Sequence, residues 1–198
     1  MLPSSPPEQG NIQPPHPLAV ALIERLRMRS GAAILELGGG SARNARALFR
    51  AGFAVTTIGG DCAMPAGPFA AALSTHGFLH GMPSDLAATL LAVARVLEAG
   101  APLYATFGST ADARFARGRR LGENTFAPTD GDERGVPHHF FDERQLRAIL
   151  GASFVVESLT EVDVDRIAGS WAHANAPLSG SMHWFAKAVR APERYADS

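Results

Sequence analysis

A glycine-rich turn carries the chemistry that the sequence suggests first. The apolar run Ala32–Leu37 is typical of a buried strand and ends in Gly38–Gly40, and Ser41 is placed to cap a helix predicted for Ala42–Ala51. Glycines let a backbone approach a ligand closely and adopt positive φ angles. The carboxylate of Glu36 lies just before the turn, where it suits a cationic ligand better than a phosphate.

The same turn excludes two phosphate-binding motifs. A dinucleotide-binding turn reads G-x-G-x-x-G, but Arg43 stands where the last glycine must allow close helix packing. The chain also lacks the G-x-x-x-x-G-K-S/T pattern of a P-loop. The turn therefore argues against NAD, FAD and nucleoside triphosphates as its ligand.

Apolar patterns place the other elements around this turn. Leucines spaced by four residues predict a first helix that begins at Pro17, and Asp142 with Gln145 resembles the capping pair of a late helix. Further strands are predicted at residues 53–58, 69–74, 102–107, 153–159 and 182–189, and further helices at residues 86–97 and 142–150. This alternation predicts a doubly wound α/β fold, in which ligands bind at the carboxyl ends of the strands.

Composition and charge exclude several classes of protein. The 198 residues suffice for one domain with its own core. With 18 Lys and Arg against 19 Asp and Glu, the net charge of -1 argues against a nucleic-acid partner. The single cysteine, Cys62, excludes a disulfide framework. No apolar run approaches the roughly 18 residues that span a bilayer and no signal peptide is recognisable, so we expect a cytoplasmic protein without a membrane partner.

The turn resembles the first motif of class I S-adenosylmethionine-dependent methyltransferases, D/E-x-G-x-G-x-G/A. Glu36, Gly38, Gly40 and Ala42 match it in order. Residues 71–81 resemble the family's fourth-strand segment, and residues 107–142 resemble small bacterial members related to the tellurite-resistance methyltransferase group. The resemblance spans about residues 17–190. It implies a Rossmann-like methyltransferase fold with a mostly parallel sheet and an antiparallel last strand.

The domain organisation follows from this resemblance and from the proline content. Residues 1–17 hold six of the fourteen prolines and few large apolar side chains, so residues 1–16 are predicted to form a flexible arm whose end could lie over the ligand site. Residues 17–190 are predicted to form the methyltransferase-like domain. Residues 191–198 would then be a C-terminal tail.

The resemblance implies S-adenosyl-L-methionine as the cofactor. In that family the glycines pass beneath the amino-acid part of the cofactor, and the acidic residue at the strand end helps to organise its ammonium group. The expected cofactor-binding residues are Glu36, Gly38, Gly39, Gly40, Ser41, Asn44, Asp61, Ser74 and Thr75.

The segment after the second strand departs from the family. An acidic residue that bonds the ribose hydroxyls normally ends this strand, but Gly59 stands there and Asp61 follows two residues later. Only ten residues separate Ile58 from Phe69, whereas a βαβ unit takes about 30 or more. The third strand and its helix are therefore expected to be reduced or missing, which exposes a sheet edge. Asp61 is expected to replace either the ribose carboxylate or a later contact to adenine.

Histidines near the expected carboxyl ends of strands are the candidate catalytic residues. The cofactor already activates the methyl group, so the protein mainly orients and desolvates the reacting groups for in-line displacement. A phenol or amine acceptor would gain about 10²–10⁴-fold from a general base, whereas a soft anion or a metalloid oxyanion would need none. The candidates are His76, His80 and His139. No metal is predicted, because no H-E-x-x-H motif or cysteine pair accompanies them.

One cluster of arginines has two possible interpretations. Arg114, Arg117, Arg119 and Arg120 form either a solvated surface loop or a clamp for an anionic substrate, since guanidinium groups match oxyanion geometry.

The function expected from these features is S-adenosylmethionine-dependent methyl transfer to a small-molecule acceptor. The alternative is a degenerate member of the family that acts as a binding or assembly module without turnover. The missing edge unit and Gly59 motivate this alternative. It predicts a homodimer formed through the exposed edge of the sheet.

Overall fold

The computed structural model describes residues 13–38, 42–59, 62–170 and 179–192, which form four α-helices and nine β-strands. The helices are α1 (Pro17–Arg25), α2 (Arg43–Arg50), α3 (Pro83–Val96) and α4 (Glu143–Gly151). The strands are β1 (Ala33–Leu37), β2 (Ala54–Ile58), β3 (Ala71–Phe78), β4 (Pro102–Ser109), β5 (Arg119–Gly122), β6 (Thr125–Ala127), β7 (His138–Phe141), β8 (Phe154–Asp163) and β9 (Met182–Arg190).

A mostly parallel sheet organises these elements. Strands β2, β1, β3 and β4 lie side by side in that order and run parallel. Strand β9 pairs antiparallel with β4 over Pro102–Gly108, and β8 pairs antiparallel with β9. The predicted doubly wound sheet with an antiparallel last strand is confirmed.

Helices cover both faces of the sheet. Successive side chains of a strand point to opposite faces, and neighbouring residues of β1 accordingly enter different apolar clusters. Ile34 packs with α1 residues such as Leu22, whereas Leu35 packs with α3 residues such as Leu90. This two-sided burial explains why the central strands are almost wholly apolar in sequence.

The edge unit beyond β2 is missing, as the sequence predicts. Within the described residues, β2 pairs with β1 alone, and no helix or further strand lies between β2 and β3. Ala54, Thr56 and Thr57 of β2 are exposed. The chain returns directly from the edge to the centre of the sheet.

Three short strands lie between residues 107 and 142, where the sequence predicts no helix or strand. Strands β5 and β6 form an antiparallel hairpin, and β6 pairs antiparallel with β7. Strand β7 joins the main sheet by pairing Phe140 and Phe141 with the end of β4. Arg119 and Arg120 are exposed, so this hairpin lacks the apolar alternation that identifies a strand in sequence.

Helix termini agree with the sequence at α4 and differ at α2. Asp142 caps α4: its carboxylate accepts from the Gln145 amide at 2.7 Å, and the Gln145 side chain accepts from the Asp142 amide at 3.4 Å. At α2 the N-cap position falls on Ala42, with φ +53°, and not on Ser41, which lies outside the described residues. In the described ranges, no helix combines the length and apolar character needed to cross a membrane.

Candidate functional site

A buried asparagine joins three segments at the carboxyl ends of β1 and β3. Asn44, in the first turn of α2, is 4% exposed. Its Oδ1 accepts a hydrogen bond of 2.8 Å from the amide of His16, and its Nδ2 donates one of 2.8 Å to the hydroxyl of Thr75. The predicted residues Asn44 and Thr75 are therefore in direct contact.

Glu36, the acidic residue of the predicted turn, lies beside this asparagine. Its side chain accepts a hydrogen bond of 3.2 Å from the Thr57 hydroxyl and interacts with Asn44. Glu36 is only 1% exposed. Burial raises the pKa of the Glu36 carboxyl, while the hydrogen bonds from Thr57 and Asn44 and the charge of Arg43 oppose this shift. The turn thus presents a buried carboxylate with few neutralising partners.

Arg43 is a buried cation next to that carboxylate. It is 5% exposed, and neither Nη1 nor Nη2 has a hydrogen-bond partner within the described part of the chain. Burial lowers the pKa of Arg43, and the negative charge of Glu36 partly offsets this. Since a buried unpaired charge is costly, the guanidinium is suited to an anionic group that the described residues do not supply.

Two glycines let the end of β1 approach β3. Gly38 has φ +76°, and a Cβ there would lie 3.1 Å from Cα of Gly77. A Cβ at Gly77 would lie 2.5 Å from the hydroxyl of Ser74, which itself donates to the Leu37 carbonyl at 3.5 Å. The predicted residues Gly38 and Ser74 therefore hold the two strand ends together.

His76 sits in an irregular part of β3. The register between β3 and β4 shifts between Ser74 and Phe78, and His76 adopts φ +81°. Its amide donates a hydrogen bond of 2.9 Å to the Thr106 hydroxyl of β4, which holds this conformation in place. A non-glycine residue at such a φ angle is strained, and strain of this kind concentrates at functional sites.

Three histidines meet beside this bulge. The ring centroid of His76 lies 6.0 Å from that of His16 and 6.0 Å from that of His183. His16 caps α1 through Nδ1, which accepts from the Leu18 amide at 3.1 Å, and its Nε2 has no hydrogen-bond partner among the described residues. The three rings come from the N-terminal segment, β3 and β9.

Burial keeps these three histidines neutral. It lowers the pKa of His16 to about 2 and that of His76 to about 4, with further lowering from neighbouring charges such as Arg43. The pKa of His183 also lies well below its usual value, mainly through burial. The cluster therefore offers neutral hydrogen-bonding groups at physiological pH.

The basic cluster divides into one internal and three solvated arginines. Arg114 forms a bidentate pair with the buried Asp112 at 2.8 and 2.7 Å, and its Nη2 lies 3.0 Å from Nε2 of His183. Arg117, Arg119 and Arg120 are exposed. Arg114 thus contacts the histidine cluster, while the other three are solvated, with Arg119 and Arg120 on strand β5.

The other two predicted catalytic histidines lie elsewhere. His80 follows β3 and is partly exposed, and its Nε2 lies 3.3 Å from a carboxylate oxygen of Glu133. His139 is buried in the β6–β7 pair, where its Nδ1 is 2.8 Å from the Thr125 hydroxyl. The roles of both remain predictions.

Four predicted residues lie outside the described part of the chain, and one buried histidine was not predicted. The predicted cofactor-binding residues Gly39, Gly40, Ser41 and Asp61 lie outside the described residues. His16 was assigned to the flexible arm, yet it is fully buried, and the carbonyls of Pro14 and Pro15 approach Gly169. The only sequence signal for this packing was the position of His16 directly before the helix-starting Pro17.

The strand order and the antiparallel last strand define a Rossmann-like methyltransferase fold, and solved structures confirm it. A SAM-dependent methyltransferase from Methanosarcina mazei matches with a TM-score of 0.67 and 16% identity, over 86% of this chain and 98% of that protein. Burkholderia thailandensis 1,6-didemethyltoxoflavin-N1-methyltransferase, solved with 1,6-didemethyltoxoflavin and S-adenosylhomocysteine bound, matches with a TM-score of 0.63 and 15% identity, over 89% of this chain and 77% of that protein.

The fold also occurs in a protein described as a cyclase. SpnF matches with a TM-score of 0.55 and 15% identity, over 88% of this chain and 80% of its own. No protein-family model matches the sequence, and no curated protein matches it. At these identities the likeness establishes the fold, and function must be argued from the site.

Proposed function

We propose that this protein binds S-adenosyl-L-methionine and transfers its methyl group to a small-molecule acceptor. The observation that carries the proposal is the pair of buried charges at the glycine turn: the Glu36 carboxylate and the Arg43 guanidinium, whose terminal nitrogens have no partner in the described residues. The amino-acid end of the cofactor is a zwitterion. A buried anion and a buried cation, both at the carboxyl end of β1, complement its ammonium and carboxylate groups.

The residues around this pair fit the remaining parts of the ligand. Gly38 keeps the backbone side of the turn free of a side chain, and Asn44 holds Thr75 at the end of β3. Gly39, Gly40, Ser41 and Asp61 stay proposed contacts on the strength of the sequence resemblance. When bound, the cofactor supplies an activated methyl group on a sulfonium sulfur.

The histidine cluster favours orientation over general base catalysis. An efficient base at neutral pH has a pKa near 7, whereas the pKa of His76 is about 4. His76 is therefore proposed to border the acceptor and to exclude water from it, with His16 and His183 behind it. Correct orientation alone can supply about 7–11 kcal/mol of the barrier reduction.

Calorimetric titration with S-adenosylmethionine and S-adenosylhomocysteine tests the proposal. We expect both ligands to bind the wild type, and Glu36→Gln to weaken binding about 10–100-fold, because a hydrogen bond to a charged group contributes about 1.5–3 kcal/mol. Glu24→Gln changes an exposed carboxylate and should leave affinity unchanged. Absence of binding at about 1 mM of either ligand, which corresponds to less than about 4 kcal/mol of affinity, would refute the proposal.

A second candidate function is that of an assembly module. The exposed edge strand β2, which pairs only with β1 in the described ranges, favours it because unpaired strand edges bind other strands. Sedimentation separates the two: a stable dimer that binds neither ligand supports the module, and a monomer that turns over the cofactor excludes it. Membership of the tellurite-resistance group and a cytoplasmic location remain predictions.

A further inference from the structure

A second group of side chains, outside the proposed cofactor site, has the composition of a metal centre. Nε2 of His80 lies 3.3 Å from one carboxylate oxygen of Glu133, and Nε2 of His138 lies 3.1 Å from the other. One ligating atom from each residue falls within 4.8 Å of the others. The two rings are nearly perpendicular, with centroids 4.6 Å apart.

The backbone builds this arrangement from two distant parts of the chain. His80 and His138 form an antiparallel bridge, and the Gly81 amide donates to the Pro137 carbonyl at 2.8 Å. Glu133 lies in a turn that is closed by a hydrogen bond of 3.0 Å from the Val136 amide to the Glu133 carbonyl. The three side chains are therefore positioned by hydrogen-bonded backbone and not by chance surface proximity.

The hydrogen bonds of His138 determine where its proton lies. Its Nδ1 is 2.9 Å from the Val136 carbonyl, which can only accept, so Nδ1 carries the hydrogen. In the neutral ring Nε2 then carries a lone pair, and this atom lies 3.1 Å from a carboxylate oxygen of Glu133. Two acceptors at that distance require a cation between them or a proton on Nε2. Donation from Nδ1 to a backbone carbonyl is the usual way in which proteins orient a metal-binding histidine.

We propose that His80, His138 and Glu133 bind a divalent transition-metal ion through both Nε2 atoms and the carboxylate. Ligands about 2.1 Å from a tetrahedral Zn²⁺ are separated by about 3.4 Å, close to the 3.3 and 3.1 Å between Glu133 and the two histidines. Two imidazoles and one carboxylate suit Zn²⁺, Fe²⁺ or Co²⁺ and leave at least one position open. The expectation of no metal rested on local motifs, and residues 80, 133 and 138 form none.

The position of the cluster suggests what occupies the open coordination site. His80 lies two residues beyond the end of β3 and four residues after His76 of the proposed acceptor site. An oxygen or nitrogen atom of a small molecule at that edge of the sheet could complete the coordination sphere. The ligand class is thus a small molecule with a metal-binding heteroatom, and the metal site itself stands without the proposed methyl transfer.

The test measures metal binding directly. Tag-free protein is stripped with EDTA, dialysed and titrated with Zn²⁺ by calorimetry, and the absorption spectrum of the Co²⁺ form reports coordination geometry. We expect one ion per chain in the wild type. Glu133→Gln and His80→Ala should each weaken Zn²⁺ binding at least about tenfold, in line with the loss of one ligand. Asp132→Asn, an exposed neighbour on the same turn, is the matched control and should bind like the wild type.

Folding and cofactor binding are measured on the same variants. Glu133 and His80 are 51% and 41% exposed, so both variants should still fold, and thermal unfolding measures what the lost contacts between Glu133 and the two histidines contribute. Titration with S-adenosylhomocysteine distinguishes failure of this inference from failure of the proposed function. Absence of Zn²⁺ and Co²⁺ binding to the wild type, or equal Zn²⁺ affinity in Glu133→Gln, His80→Ala and the wild type, would overturn the metal site.

Discussion

The side chain of Asn44 donates a hydrogen bond of 2.8 Å to the hydroxyl of Thr75, and this contact joins the first turn of α2 to the carboxyl end of β3. The same asparagine accepts from the amide of His16, so the N-terminal segment is tied to the centre of the sheet. One residue thus connects the glycine turn with the histidine cluster.

Asn44→Ala is expected to destabilise the protein by about 2–4 kcal/mol, because it leaves the buried His16 amide and Thr75 hydroxyl unsatisfied. Thr75→Val removes only one of these bonds and should cost less. Urea unfolding measures both free energies. Arg46→Ala, an exposed change on the same helix, is the control, and an Asn44→Ala loss no larger than the control's would show that the bridge does not contribute.

Arg43→Met is expected to separate stability from ligand binding. Methionine keeps the apolar stem and removes a buried guanidinium whose terminal nitrogens lack partners in the described chain, so the free energy of unfolding should stay the same or rise. Affinity for S-adenosylhomocysteine should fall about 10–100-fold through loss of the carboxylate contact. Calorimetry on Arg43→Met and the exposed control Arg46→Met measures this, and equal affinities would place the carboxylate elsewhere.

Gly38→Ala is expected to lower stability more than Gly31→Ala. Both glycines have nearly the same positive φ angle, +76° and +78°, so the conformational cost of about 1–2 kcal/mol is shared. Only at position 38 would the new Cβ meet backbone, 3.1 Å from Gly77, whereas position 31 has open space. Thermal unfolding of both variants measures the difference in stability loss. Equal losses would mean that the backbone shifts to accommodate the Cβ at position 38 without cost.

The free energy of unfolding is expected to decrease as the pH is lowered from about 6.5 to 4, because folding lowers the pKa of His76 to about 4. The His76 ring binds a proton more strongly in the unfolded chain than in the folded one. The contribution of His76 to the free energy of unfolding is therefore complete above pH 6.5 and declines by about 1.4 kcal/mol per pH unit as the pH falls. Glu36, whose pKa is raised, acts in the opposite direction, as its contribution is lost when the pH rises through its folded value.

His76→Gln isolates this effect. Glutamine cannot titrate, so the stability lost between pH 6.5 and 4 should be about 3 kcal/mol smaller in the variant than in the wild type. Burial is the main cause of the lowered pKa of His16 and His183 in both proteins, so their contributions are largely shared and the difference reports His76. Parallel pH profiles for the two proteins would contradict the buried, neutral state of His76.

Local sequence was sufficient to predict the longer strands of the sheet and the glycine turn after β1. Strand β1 and the turn after it are encoded by a short apolar run, a carboxylate and glycines, all within a few residues. The capping pair of α4 and the shortened loop after β2 were likewise visible, since a cap spans three residues and a missing unit shows as missing length.

The polar hairpin and the histidine cluster were not predictable in this way. Strands β5 and β6 are only four and three residues long, and their partners stabilise them more than their own apolar pattern does. His16 lies in a proline-rich segment whose composition suggests a solvated arm, but its ring packs on Phe185 with centroids 4.9 Å apart. Such burial depends on residues far away in the chain.

The sequence by itself determined the positions of the main strands along the chain, the glycine turn with its carboxylate and the shortened segment after β2, because each depends on neighbouring residues. Only the tertiary structure decided which histidines meet: His16, His76 and His183 in one cluster, and His80 with His138 beside Glu133 in another. Parallel strands end at the same edge of a sheet, so side chains from distant positions converge there, and that convergence has no local pattern.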